Sequence, residues 1–323
     1  MNRPALKLLP CLIGLALCGS PAEASGATPA RTFGVYVDAA HVGEWSASVG
    51  ASPQMVAKFE SFSLNRTIDD YLGAAKQQGM SRVLVSWEPW KPVPTSLGPL
   101  AQSYPQAGFR NRDIVRGVQD TYIRRFARSL ARFKGVVYLR YAHEMNGTWY
   151  PWSRDPRQYP RAWRHIVRVF RSVGARNVRF VWSVNPNLYE SRRVWLRNVR
   201  RYWPGAAYVD YVGSTMINFG GERKKTYLVR RFAPRFRDLR REYRKPVMLT
   251  EVNTDYTGRV QWLRNLRQML RSMPWVRSVV WSQLTSRGQA LNKGVGELNW
   301  DVQRDPAAAG VLRAIIRDGL RRR

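Results

Sequence analysis

The sequence predicts an α/β fold, a single (β/α)8 TIM barrel, and three observations carry that prediction. Eight short β-rich runs alternate with amphipathic helical segments. The runs are almost continuously apolar, as the strands of a parallel sheet covered on both faces must be. The length available, 323 − 24 = 299 residues once a leader is set aside, suits one barrel of the usual ~250 residues with long loops. No glycine-rich phosphate loop comes after the first run, which argues against an open dinucleotide-binding sheet.

The leader is residues 1–24. Arg3 and Lys7 precede an apolar run from Leu8 to Cys18, and Ala22-Glu23-Ala24 forms a small-residue cleavage site. The run is too short to span a bilayer, which needs about 20 apolar residues. A secretory signal peptide is expected, with export to the periplasm or the medium and no membrane span after cleavage. Both cysteines, Cys11 and Cys18, leave with it, so no disulfide is expected in the mature chain. With three histidines and no cysteine left, no metal or other cofactor is expected. Residues 25–31 read as a short flexible lead and 32–323 as one catalytic domain, expected to be a monomer.

The strand candidates, in order, are Phe33–Val37, a weak run at Val56–Ser61, Arg82–Trp87, Val136–Tyr141, Val178–Ser183, Tyr208–Ser214, Val247–Glu251 and Ser278–Ser282. Helical periodicity fills Ile68–Gln78, Thr121–Phe133, Arg161–Val173, Leu228–Tyr243 and Arg259–Ser272. Apolar residues return every three or four positions there, and Gly or Pro stands just beyond most ends.

A barrel of this kind carries its chemistry where the strands stop. Trp87-Glu88, His143-Glu144-Met145-Asn146, Trp182-Ser183-Val184-Asn185, Glu251-Val252-Asn253 and Trp281-Ser282 stand at those places. Two carboxylates at one barrel mouth suit glycosidic bond cleavage: one protonates the leaving oxygen and the other attacks the anomeric carbon. Glu144 is the expected acid/base and Glu251 the expected nucleophile. Period two puts Arg140, Ala142 and Glu144 on one strand face, and Val247, Leu249 and Glu251 on another. Arg140 is expected to keep Glu251 ionised, leaving Glu144 with the higher pKa. Trp87, Trp149, Trp152, Trp182 and Trp281 are expected to stack on sugar rings, with Tyr150-Pro151-Trp152 as the principal platform.

The run from Arg140 to Trp152, with Ser86-Trp87-Glu88-Pro89, Val181-Trp182-Ser183-Val184-Asn185-Pro186 and Lys245-Pro246-Val247-Met248-Leu249-Thr250-Glu251, resembles glycoside hydrolase family 26. The resemblance implies a secreted, retaining, endo-acting β-mannanase-like enzyme. It implies sugar contacts from His143 and Trp149 and a subsite floor at Trp281. Asn146, Asn185 and Glu88 are expected to bind substrate. One departure stands out. After Val212-Gly213 the family carries an Asp and then a Tyr that bonds the nucleophile. Here the run is Ser214-Thr215-Met216-Ile217-Asn218-Phe219, and Asn218 is the residue expected to reach Glu251 instead.

The net charge is +32, with 54 basic residues, only nine of them Lys, against 22 acidic ones. Such an excess favours an anionic partner. For an exported protein that means acidic exopolysaccharide or an anionic envelope. No nucleic acid is expected, because Arg is spread over the helices and no binding motif is present. Two other readings stay open: a β-glucanase or exopolysaccharide-processing hydrolase, and a barrel that binds anionic exopolysaccharide without cleaving it.

Overall fold

The computed structural model describes residues 30–93, 103–218, 229–254, 258–283 and 301–320. The leader 1–24, most of the lead and Phe219 lie outside these residues. Eight parallel strands close into one barrel in sequence order: β1 Thr32–Tyr36, β2 Met55–Ser61, β3 Arg82–Glu88, β4 Val136–Tyr141, β5 Val178–Val184, β6 Tyr211–Asn218, β7 Val247–Thr254 and β8 Val276–Ser282. β1 pairs with both β2 and β8, which completes the closure. All eight expected strands are present, including the weak second one.

The described helices are α1 Val42–Val49, α2 Asp69–Gln77, α3 Asn111–Val115, α4 Asp120–Arg132, α5 Tyr159–Ser172, α6 Arg192–Arg200, α7 Val229–Tyr243, α8 Arg259–Arg271 and α9 Pro306–Leu320. α5 shows the local logic. Pro160 occupies its first turn, where a missing N–H costs nothing, and Gly174 just beyond its end takes φ +75°. The periodicity reading missed α1, α3, α6 and α9. The first and third are short, and α6 is Arg-rich. α9 opens on Pro306-Ala307-Ala308-Ala309-Gly310, where small residues dilute the apolar signal.

Two strands run further than their apolar segments. β6 begins at Tyr211, because Ala206–Tyr208 forms a 3-10 turn, and continues to Asn218. β7 accompanies it to Thr254, where Asn218 Nδ2 donates to Thr254 Oγ1 at 3.0 Å. Polar side chains end the sequence signal there, although the backbone pairing goes on.

The barrel interior is apolar at its lower end and polar at its mouth. Tyr36, Met55, Ala57, Leu84, Tyr138, Val181, Met248 and Val280 form the inner cluster. Two residues further along, the inward positions become Ser86, Arg140, Ser183 and Thr250. Gly213 lies in this layer, and a Cβ there would stand 2.8 Å from both Ser183 Cβ and Thr250 Cγ2. The outward faces pack under the helices in two larger clusters, which contain Trp87, Trp182 and Trp281.

Candidate active site

The two carboxylates reach the mouth by different routes, and neither is simple strand alternation. β4 ends at Tyr141, and the chain then turns through Ala142 (φ +43°) and Glu144 (φ +53°). Left-handed backbone at non-glycine residues is strained and persists only where its surroundings hold it. Here Ala142 N–H donates to Trp87 O at 3.0 Å and Glu144 N–H donates to Ser183 O at 2.8 Å. The turn therefore leans on β3 and β5. The expectation that the face of Arg140 simply continues to Glu144 is corrected accordingly.

The correction on β7 is larger. Val247 and Leu249 face outward into the helix layer, and Met248 faces inward. Strict alternation would turn Glu251 away from the mouth. The register against β6 skips one residue, with Ser214 opposite Leu249 and Thr215 opposite Glu251. The β7–β8 pairing is irregular between Leu249 and Val252 as well. A bulge of this kind inserts one residue and re-aims the side chains after it. Thr250 Oγ1 meets Ser183 Oγ at 2.9 Å inside the barrel, and Glu251 also turns inward to Arg140.

Arg140 is the centre of the site. It is 0% exposed, and its Nη1 stands 2.6 Å from Glu251 Oε1. Nη1 also donates to Ser86 Oγ at 3.1 Å, and Ser86 pairs with Tyr36 OH at 2.8 Å. Nη2 donates to Thr215 Oγ1 at 3.4 Å. Glu144 and Glu251 are each 7% exposed. Glu144 Oε1 accepts from Thr215 Oγ1 at 2.5 Å and from Asn185 Nδ2 at 3.0 Å, while Oε2 accepts from Trp149 Nε1 at 3.2 Å. Burial pushes the Glu251 carboxyl above its ordinary range; Arg140 opposes this, and Glu144 adds to it. Arg140 acts in the expected direction but is outweighed by burial.

Glu88 lies at the end of β3, with its Oε2 accepting from Trp90 Nε1 at 3.2 Å. Burial pushes its carboxyl up to about 8, against the pull of the Trp90 N–H and of Arg140. His143 is buried, and burial together with Arg140 holds its imidazole well below the ordinary value. Both effects favour the neutral imidazole, which shares a hydrogen bond with Tyr150 OH at 3.0 Å. Burial thus disfavours the charged form of both partners in the 4.0 Å approach of His143 to Glu88. The Glu88 shift has a stability consequence. A carboxyl raised in the folded state favours folding fully below its ordinary pKa, and that contribution is lost as pH rises through about 8. Glu88→Gln is expected to unfold at a temperature that increasingly exceeds wild type between about pH 5 and pH 8. Thermal melts across that range check this; a constant offset would mean that Glu88 is charged throughout.

Several expected sugar contacts belong to the packing instead. Trp87 stacks on Phe126 at 4.6 Å and donates its N–H to Tyr122 OH. Trp182 lies edge-on to Trp203 and Tyr243. Trp281 is 0% exposed on the outward face of β8 and donates to Gln283 Oε1. Trp152 is fully buried, stacks on Tyr150 at 4.3 Å, and donates to His143 O at 2.7 Å, so it supports the catalytic loop from beneath. Of the five tryptophans, Trp149 alone is half-buried and bonded to a carboxylate. A Cβ at Gly147 would come within 2.5 Å of its ring, so the glycine makes room for it.

The asparagines also change roles. Asn146 exchanges two hydrogen bonds with the backbone of Asn185, and this aims Asn185 at Glu144. Asn218 joins Thr254 at the strand end and is not the partner of Glu251. Sequence reasoning missed Thr215, Ser86 and Tyr36, and it read Tyr150 as part of a sugar platform where the structure shows it bonded to His143. The three missed residues share the inward parity of Arg140 on other strands of the barrel, a signal that becomes legible only when the strand register is known.

A closed parallel barrel with two buried carboxyls, one just after its fourth strand and one on its seventh, linked through Arg140 and Thr215, defines a (β/α)8 protein with a paired-carboxylate site at its mouth. Residues 116–226 match the model of Glycosyl hydrolase family 26. Over that segment, about a third of its length, the chain is similar to that family. It is similar to Endoglucanase H of Acetivibrio thermocellus, with 30% identity over 179 residues, 53% of this chain and 17% of that protein. It is similar to a Beta-1,3-xylanase of Vibrio sp, with 29% identity over 106 residues, 32% of this chain and 21% of that protein. The chain thus spans about a fifth or less of the length of these relatives. A GH26 beta-mannanase from Bacteroides ovatus shares the fold, at TM-score 0.60 and 17% identity over 90% of this chain and 89% of that one.

Proposed function

We propose that the protein is an endo-acting glycoside hydrolase that cleaves a β-linked polysaccharide by double displacement. The observation that carries this reading is the pair Glu144 and Glu251, both buried at the mouth and linked by Arg140 and Thr215. Glu144 protonates the leaving glycosidic oxygen. Glu251, held through Oε1 by Arg140, attacks the anomeric carbon with its other oxygen and forms a glycosyl ester. Glu144 then takes a proton from water, which hydrolyses the ester and regenerates both groups. The roles follow from the surroundings. Glu144 is surrounded by the neutral donors Thr215, Asn185 and Trp149, with no cation bonded to it. Glu251 faces a fixed cation that favours the ionised form a nucleophile needs.

A mannan-like glycan is the proposed substrate, in keeping with the Bacteroides ovatus neighbour. The names of the other two relatives point to a β-glucan and a β-1,3-xylan, so all three belong in the test. The +32 charge favours acidic glycans as a further group. The Arg3-to-Ala24 leader supports export, and no helix among the described residues is long and apolar enough to cross a membrane.

The test is reducing-end release from galactomannan, mixed-linkage glucan, β-1,3-xylan and acidic exopolysaccharides, with Glu144→Gln alongside. Release by wild type, lost by at least about 100-fold in the variant, is expected on one of them. Proton NMR of the first product should show the β-anomer, which reports retention; an α-anomer would replace double displacement by inversion. Silence on every glycan, with retention on an acidic one, would turn the reading to a non-catalytic binding barrel.

A further inference from the structure

Glu144 has three hydrogen-bond partners, and they are not equivalent. Trp149 Nε1–H can only donate, and it does so to Oε2. The amide of Asn185 donates to Oε1, its orientation fixed because Asn185 N–H and C=O are both taken by Asn146. The Thr215 hydroxyl also donates to Oε1, at 2.5 Å, and it alone among the three is tied to the other carboxyl. Arg140 Nη2 donates to Thr215 Oγ1 while Arg140 Nη1 pairs with Glu251. Thr215 also stands opposite Glu251 in the β6–β7 register, at the place where the bulge begins.

We propose that Thr215 is the positioning residue for the acid/base: its hydroxyl, with Asn185, locks Oε1 of Glu144 and leaves Oε2 to carry the transferred proton. This rests on the acid/base role of Glu144 proposed above. The physical argument is preorganisation. Oε1 can accept from Thr215 and Asn185 both as a carboxylate oxygen, where the bonds are stronger, and as the carbonyl oxygen of a neutral carboxyl. Oε2 has a lone pair left for Trp149 in either state. The proton moves from Oε2 to the glycosidic oxygen as that C–O bond breaks, and no neighbouring group has to reorient. Because β6 and β7 also carry the bulge, the acid and the nucleophile are set by the same pair of strands.

A purely structural Thr215 would serve only to fill the barrel. Thr215→Val separates the two roles, since it keeps the volume and removes the hydroxyl. General acid assistance matters for a sugar leaving group and little for 2,4-dinitrophenolate, which departs without a proton. On the polysaccharide that wild type cleaves, kcat/KM of Thr215→Val is expected to fall by about 30-fold or more, within the usual range for acid assistance. On a 2,4-dinitrophenyl β-oligosaccharide of the same sugar it should stay within about 3-fold, because the first step there needs no acid. Thr215→Ser, which restores the hydroxyl, should recover most of the polysaccharide activity. Equal losses on both substrates, or a serine variant as poor as the valine one, would overturn the proposal. A wild type silent on both substrates would remove the catalytic reading and this inference with it, an outcome distinct from the others.

Discussion

Replacing Glu251 by alanine is expected to reduce glycan hydrolysis by at least about four orders of magnitude, the scale on which removal of a nucleophile acts. The folded barrel should survive, but at a cost. Arg140 is wholly buried, and Glu251 is its carboxylate partner at 2.6 Å. Breaking a buried ion pair from one side leaves the other charge uncompensated, which costs about 3–5 kcal/mol. The remaining bonds from Arg140 to Ser86 and Thr215 soften this. Glu251→Gln should be equally inactive and melt closer to wild type, because the amide oxygen still accepts from the guanidinium. Reducing-end assays and thermal melts of the two variants check both statements. Hydrolysis within tenfold of wild type in either variant would move the nucleophile elsewhere.

Arg140→Met is expected to have the second largest effect, a loss of about 100- to 1,000-fold in kcat/KM, as for other preorganised charges aimed at a reacting group. The cation holds Oε1 of Glu251 and, through Thr215, the acid. Its removal also changes the pH dependence, with a definite sign. Burial already lifts the Glu251 carboxyl, and Arg140 works against that lift. Without the arginine the carboxyl rises further, so a higher pH is needed to ionise the nucleophile. The acidic limb of the kcat/KM profile should therefore move to higher pH in Arg140→Met. An unmoved limb with the same loss of rate would mean that Arg140 contributes shape and not charge. The variant should be less handicapped in stability than in rate, because a buried Glu251 without its cation can take up a proton.

Much of this site is legible in the sequence. The alternation of apolar runs and amphipathic segments places all eight strands, and it puts Glu144 after the fourth and Glu251 on the seventh. Arg140 stands out because an arginine inside an otherwise apolar run must meet a charge. The tryptophans mislead for a physical reason. Strands of a covered parallel barrel are apolar on both faces, so their sequences carry no contrast between inside and outside. Trp87, Trp182 and Trp281 all stand at strand ends, as a sugar platform would, yet all face the helix layer. Asn146 is expected from the sequence to touch substrate, but its two bonds to the Asn185 backbone commit it to holding a neighbour.

The sequence by itself determined the barrel, the strand ends that carry the carboxyls, and the buried arginine between them, because each follows from local periodicity or from the cost of burying charge. Only the tertiary structure decided which way those groups face. A one-residue bulge against β6 turns Glu251 inward where alternation would have turned it out, and two left-handed residues bring Glu144 to the same mouth. Thr215 enters the site in the same way. It meets Glu144 and Arg140 only because the closed sheet sets β6 against β7 with Thr215 opposite Glu251, and a pairing between separate strands leaves no periodic trace in either one.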